Sequence, residues 1–75
     1  MTVMEALQKT EDLLALIQQE TGKTGVELDA DLDSLGIDSL DFVSLMQAIE
    51  EKFKVEIPVE SYGQITTVRD IRERI

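Results

Sequence analysis

Leu35-Gly36-Ile37-Asp38-Ser39-Leu40-Asp41 is the stretch on which the architecture turns. A glycine-broken loop ends there and an apolar-periodic segment begins. From Asp38 or Ser39 to near Phe53, the residues Phe42, Leu45, Met46, Ile49 and Phe53 recur at helical spacing and predict an inward stripe. Leu40 and Val43 fall off that stripe, so two apolar side chains are expected to face outward. Asp38 suits the cap of this helix and Asp41 its first turn, while Lys52 and Lys54 suit the negative pole at its far end. Ser39 then stands in the first turn with a hydroxyl to offer. The unpaired N–H groups and summed peptide dipoles of a helix start favour an anion, so a phosphate ester on Ser39 would find a ready electrostatic setting.

Working outward, a first helix is predicted from about Val3 to Glu20. Thr2 and Glu5 have the spacing of a capping box, and Gly22 stands where helices commonly end. Val3, Leu7, Leu14 and Ile17 are expected on its buried face, with Met4 and Leu13 at the edges. Residues 21–38 read as a long loop punctuated by Gly22, Gly25 and Gly36 and tied down by Val26, Leu28, Leu32 and Leu35. Pro58 pushes Ile57 out of helical geometry. Residues 59–63 predict a single short turn. A last helix starts near Thr67, with Asp70 as a second capping partner and Val68, Ile71 and Ile75 on its buried side. The expected fold is all-α: a small four-helix bundle, with three longer helices, one short helix and a long loop between helices 1 and 2. Residues 1–75 are expected to form one domain, without repeat or linker.

Composition narrows the function. The chain has 75 residues, 43% of them hydrophobic, and its only aromatics are Phe42, Phe53 and Tyr62. A folded aliphatic core is therefore expected, close to the size at which one core is only marginally sufficient. The formal charge of −9 is uneven. Residues 1–26 carry four acids and two bases, residues 27–60 ten acids against two lysines, and residues 61–75 two acids against three arginines. Such a field repels nucleic acid and anionic membrane and steers basic protein partners to the acidic middle. Cysteine and histidine are absent, so disulfides and most structural zinc sites are not expected, and the chain's own side chains offer little obvious chemistry. No stretch approaches the roughly 18 apolar residues of a spanning helix. With Glu5 in a broken apolar pattern, the N-terminus does not look like a signal peptide, and a cytoplasmic location is expected.

Asp38-Ser39-Leu40-Asp41 taken alone is an ordinary helix start. Its context is more specific. Leu35-Gly36-Ile37-Asp38-Ser39-Leu40-Asp41, Glu50-Glu51-Lys52-Phe53, Ile57-Pro58 and Ile65-Thr66-Thr67-Val68 together resemble the acyl carrier protein family of the phosphopantetheine-attachment superfamily. The resemblance implies a 4′-phosphopantetheine arm esterified to Ser39, installed from coenzyme A by a phosphopantetheinyl transferase. Acyl groups would be carried as thioesters on the arm's thiol, by a protein that is not itself an enzyme. It implies that Asp38 acts in transferase recognition. It also implies that the outward side of the second helix docks onto acyl-loading and acyl-transferring enzymes bearing basic patches. Asp38, Leu40, Asp41, Val43, Gln47, Glu50 and Glu51 are the recognition candidates. Met46, Ile57 and Ile65 are the candidates to line a slot for a folded-back acyl chain, Met46 foremost because its thioether repacks easily. A monomer is expected, with no metal site of its own.

The chain departs from the common fatty-acid pattern. Ser44 replaces an acid one turn into the second helix, Gln47 replaces a frequent methionine, and Val59-Glu60-Ser61-Tyr62-Gly63 is less acidic than usual. These changes thin the negative docking surface and favour a carrier dedicated to one pathway. An aminoacyl or peptidyl carrier is the alternative within the superfamily, and Ile37, standing where such carriers more often have a glycine, argues against it. A different class, a calcium-binding loop, is suggested by Asp29, Asp31 and Asp33. The pattern then fails at Ser34, where glycine is required, and at Leu40, where a bidentate glutamate belongs. A plain interaction protein that has lost its modification is the third alternative.

Overall fold

A computed structural model describes residues 2–75; Met1, the first residue of the expected domain, lies outside them. Thr2 caps α1 (Val3–Thr21) through the predicted box: its hydroxyl accepts from the Glu5 N–H, and the Glu5 carboxylate accepts from the Thr2 N–H. Gly22 closes the helix with φ +74°, a conformation that costs glycine nothing. Asp38 caps α2 (Ser39–Phe53), and Lys54 ends it at φ +56°. Thr67 and Asp70 box the start of α3 (Val68–Arg72). Two 3-10 segments complete the chain, Asp33–Leu35 in the long loop and Val59–Gln64 after Pro58. Among the described residues there is no strand, only an isolated bridge between Asp31 and Thr67.

The all-α bundle stands, with a different distribution of lengths. α1 and α2 are long, whereas α3 has five residues rather than the length expected of a third long helix. Past Arg72 the chain tightens: Arg74 N–H donates to the Ile71 carbonyl and Ile75 N–H reaches back to Arg72. The short segment after Pro58 runs through Gly63 to Gln64.

Leu13, Ile17, Leu45, Met46, Ile49, Ile57, Ile65, Val68 and Ile71 form the core, joined by Val26 and Leu32 from the loop. The inward face of α1 differs from expectation. Leu13 is fully buried, not an edge residue, while Val3, Met4 and Leu7 lie exposed. The helix instead turns the line Ala6–Thr10–Leu13–Ile17 inward. Thr10 is polar, so apolar spacing alone passes over it. Its hydroxyl donates to the Ala6 carbonyl and accepts from Arg72 Nε at 2.8 Å, and Arg72 also donates to the Ala6 carbonyl. That ties the C-terminal end of the chain to the first two turns of α1 through the face carrying Ala6 and Thr10, and leaves Val3, Met4 and Leu7 on the opposite, exposed side.

The long loop is tied down as predicted, and its backbone does part of the work. Leu28 and Ala30 carbonyls accept from the N–H groups of Arg69 and Val68, while Leu32 N–H donates to the Thr66 carbonyl. The loop thus satisfies the otherwise unpaired first-turn donors of α3. It also delivers the Asp33–Leu35 turn and Gly36, at φ +73°, to the foot of α2.

Candidate functional site

Everything needed to expose Ser39 is set by the residue before it. Asp38 is extended (φ −85°, ψ −177°), its Oδ1 accepts from the Asp41 N–H at 2.8 Å, and its carbonyl accepts from Phe42 N–H at 2.8 Å. Capping therefore falls to Asp38, and Ser39 is released from it as the first helical residue. The chain has four serines. Ser34 Oγ donates to the Asp31 carbonyl and Ser61 Oγ to the Pro58 carbonyl, each inside its own turn. Ser44 is exposed one turn into α2. Ser39 is exposed, its hydroxyl makes no hydrogen bond among the described residues, and it alone lies at the positive end of a long helix.

Below Ser39 an exposed face runs down α2. Ser39, Val43 and Gln47 follow at intervals of four, with Leu40 and Glu51 alongside. Leu40 is 80% exposed and Val43 40%. Asp38 and Asp41 flank the upper end, both exposed. Leu40, Val43, Gln47 and Glu51 thus share one exposed side of α2 below Asp38, while Asp41 lies round the helix on the side of Thr21 and Ser44. Glu50 is placed differently: it is half-buried, and its Oε2 accepts from the Ile57 N–H at 2.9 Å. That carboxylate ties the end of α2 to the turn before Pro58, so only part of it faces outward.

A cleft of about 240 Å³ opens beside Ser39, between the loop, α2 and the second 3-10 segment. Leu32, Ile37, Phe42, Tyr62 and Ile65 give it apolar walls. Of the three residues expected to line an acyl slot, Ile65 is here, Ile57 lines a neighbouring cleft, and Met46 is fully buried and lines neither. Tyr62 and the exposed Val59 border this region without having been singled out by spacing, and Phe42, expected on the inward stripe of α2, forms part of its wall. The legible signal for Tyr62 was its place as the single tyrosine among three aromatics in a largely aliphatic chain. Burial, and secondarily the Glu50 carboxylate, raises the Tyr62 phenol above its ordinary value, which keeps it neutral.

Asp29, Asp31 and Asp33 do not converge as a calcium loop would require. Asp29 pairs with Arg69 at 2.6 Å, Asp31 lies in the bridge to Thr67, and Asp33 opens a 3-10 turn. Among the described residues no group of three acidic side chains is arranged to hold a metal, and no helix is long and apolar enough to cross a membrane.

The family described as phosphopantetheine attachment site matches residues 11–75, which include the capped serine and the whole face below it. The chain belongs to this family. Its relatives are acyl carrier proteins. That of Helicobacter pylori is 41% identical over 64 residues, covering 81% of this chain and 82% of the relative. That of Streptomyces coelicolor is 37% identical over 68 residues, covering 89% and 74%. That of Zymomonas mobilis is 56% identical over 39 residues, covering 52% and 50%. For the Zymomonas protein and others of similar identity, the chain spans about half the relative's length.

Membership of this family implies a covalent 4′-phosphopantetheine group, and the relatives are named as acyl carrier proteins. The residues present fit such a group. A free, exposed hydroxyl is the nucleophile that attachment requires, and the flanking cleft offers apolar walls with Thr66 and Asp33 at its rim.

Proposed function

We propose that Ser39 is the attachment point of the 4′-phosphopantetheine arm. The arm is transferred from coenzyme A by a phosphopantetheinyl transferase, and the chain presents acyl intermediates to enzymes of fatty acid, polyketide or related lipid biosynthesis. The observation that carries this reading is the division of labour at the head of α2: Asp38 does the capping, and the Ser39 hydroxyl is left unengaged and exposed. Once attached, the arm supplies the thiol that this cysteine-free chain lacks, and acyl groups are held on it as thioesters.

Asp38, Leu40, Asp41, Val43, Gln47 and Glu51 form the docking face in this reading. Carboxylates attract and orient a partner's basic patch, and the small apolar contacts of Leu40 and Val43 leave the complex weak enough to release. Glu50 contributes mainly by holding the turn at Ile57. Ser44 and Gln47, where an acid and a methionine are more usual, reduce the charge and grip of this face, which favours partners dedicated to a single pathway. Residues 1–75 act as one carrier domain, and as a monomer, because the docking face must stay open to successive partners.

Ser39→Ala tests the assignment. Loading by a promiscuous transferase should be lost entirely, while circular dichroism and melting temperature stay close to those of the parent. A large drop in melting temperature would make the serine structural and remove the argument from its freedom.

A further inference from the structure

Phe42 and Tyr62 meet edge to face, with ring centroids 5.2 Å apart and planes at 82°. Phe42 belongs to the first turn of α2, three residues after Ser39, and Tyr62 to the segment Val59–Gln64. Their contact closes the gap between the two elements. On one side lies the Ser39 cleft; on the other lies a second cleft of about 380 Å³ lined by Val43, Gln47, Ile57, Pro58 and Val59. Tyr62 lines both, so its ring stands between them.

We infer that this aromatic pair determines which acyl groups the carrier shelters: short acyl groups seat in the Ser39 cleft, and the pair stops long saturated chains from running on. The inference rests on Ser39 being the attachment point. An apolar group on a flexible tether in water buries itself in the nearest apolar concavity, and the nearest one here includes Ser39 itself in its lining. Leu32, Ile37, Phe42 and Ile65 give that concavity its apolar surface. Beyond it a lengthening chain meets an obstacle in each direction. Toward the second cleft it meets the ring of Tyr62, held by Phe42. Toward the interior lies the packed core, in which Met46 and Ile49 are fully buried. Passage in either direction requires the ring contact to break and its surroundings to repack, and close-packed interiors resist that. Long chains therefore stay in solvent or on the partner enzyme.

The test is a series of carriers loaded with butyryl, octanoyl and dodecanoyl arms from the corresponding acyl-coenzyme A, verified by intact mass and followed by side-chain NMR. In the parent protein, butyrylation should shift the Phe42 and Tyr62 ring signals and the Ile37 and Ile65 methyls relative to the unacylated arm. The longer chains should add nothing further, and Ile57 and Met46 methyls should stay in place throughout. In Tyr62→Ala the shifts should grow with chain length and extend to Ile57. Phe42→Leu gives a second opening of the same partition if the first variant does not fold. Absence of any cleft shift on acylation, or Met46 and Ile57 shifts that grow with chain length in the parent, would overturn the inference. Failure of the mass to increase at all would instead strike the attachment reading beneath it.

Discussion

At the residue scale, Asp38 has two separable duties. It caps α2 through Oδ1 to the Asp41 N–H, and in the proposed function it places a carboxylate next to the serine that a transferase would approach. Asparagine caps a helix nearly as well as aspartate but carries no charge. Asp38→Asn should therefore leave the melting temperature almost unchanged while slowing loading of Ser39. Asp38→Ala should also lose about 1 kcal/mol of stability, the usual worth of a cap. Thermal melts and loading rates on the two variants check this, and equal loading rates in Asp38→Asn and the parent would confine Asp38 to capping. Asp70 gives a pH-dependent counterpart. Its carboxylate accepts from the N–H groups of Thr66 and Thr67, which hold it below the ordinary carboxylate range. A depressed folded value means that its contribution is complete above the unfolded value of about 3.9 and drains away as pH falls through the folded one. Asp70→Asn should remove that part of the acid limb from a pH titration of melting temperature, and an identical acid limb in both proteins would refute it.

At the scale of elements, the three helix starts and the end of α1 were legible because their chemistry is local. Thr2 with Glu5, Gly22, Asp38, and Thr67 with Asp70 all behave as their spacing predicts. The inward face of α1 was not legible, because the polar Thr10 occupies it by virtue of an Arg72 contact 62 residues away in sequence. The length of α3 was missed for a related reason: its short barrel is stabilised by the loop carbonyls of Leu28 and Ala30, not by its own propensity. Likewise the role of Glu50 at Ile57 depends on a turn that only the folded chain assembles. The end of α2 carries a prediction of its own. Lys54 adopts the left-handed conformation that glycine takes freely and a side chain takes at a cost. Lys54→Gly should raise stability by about 0.5–1 kcal/mol in denaturant unfolding. A decrease would mean that the lysine's charge at the helix terminus outweighs the backbone strain.

At the scale of the whole molecule, the charge is concentrated where the candidate site lies. Of the three arginines of residues 61–75, Arg69 pairs with Asp29, while Arg72 bonds Thr10 and the Ala6 carbonyl and Arg74 the Asp70 carbonyl and Gln64. Among the described residues that is the one ion pair made by the ten acids of residues 27–60, and only Lys52 and Lys54 lie among them in sequence. The proposed docking face thereby stays negative, at the expense of mutual repulsion among its carboxylates. Added salt or Mg²⁺ should raise the melting temperature. Screening also weakens the exposed Arg69–Asp29 pair, but such pairs contribute little, so relief of repulsion prevails. A melting temperature that falls or stays flat with ionic strength would dispose of the self-repulsion argument.

Intact mass of the folded protein before and after treatment with coenzyme A and a promiscuous phosphopantetheinyl transferase, followed by peptide mapping, bears on the carrier assignment most directly. One added phosphopantetheine on the peptide containing Ser39 is the expected result. An unchanged mass in a well-folded sample, or the group found on Ser34, Ser44 or Ser61, would contradict it.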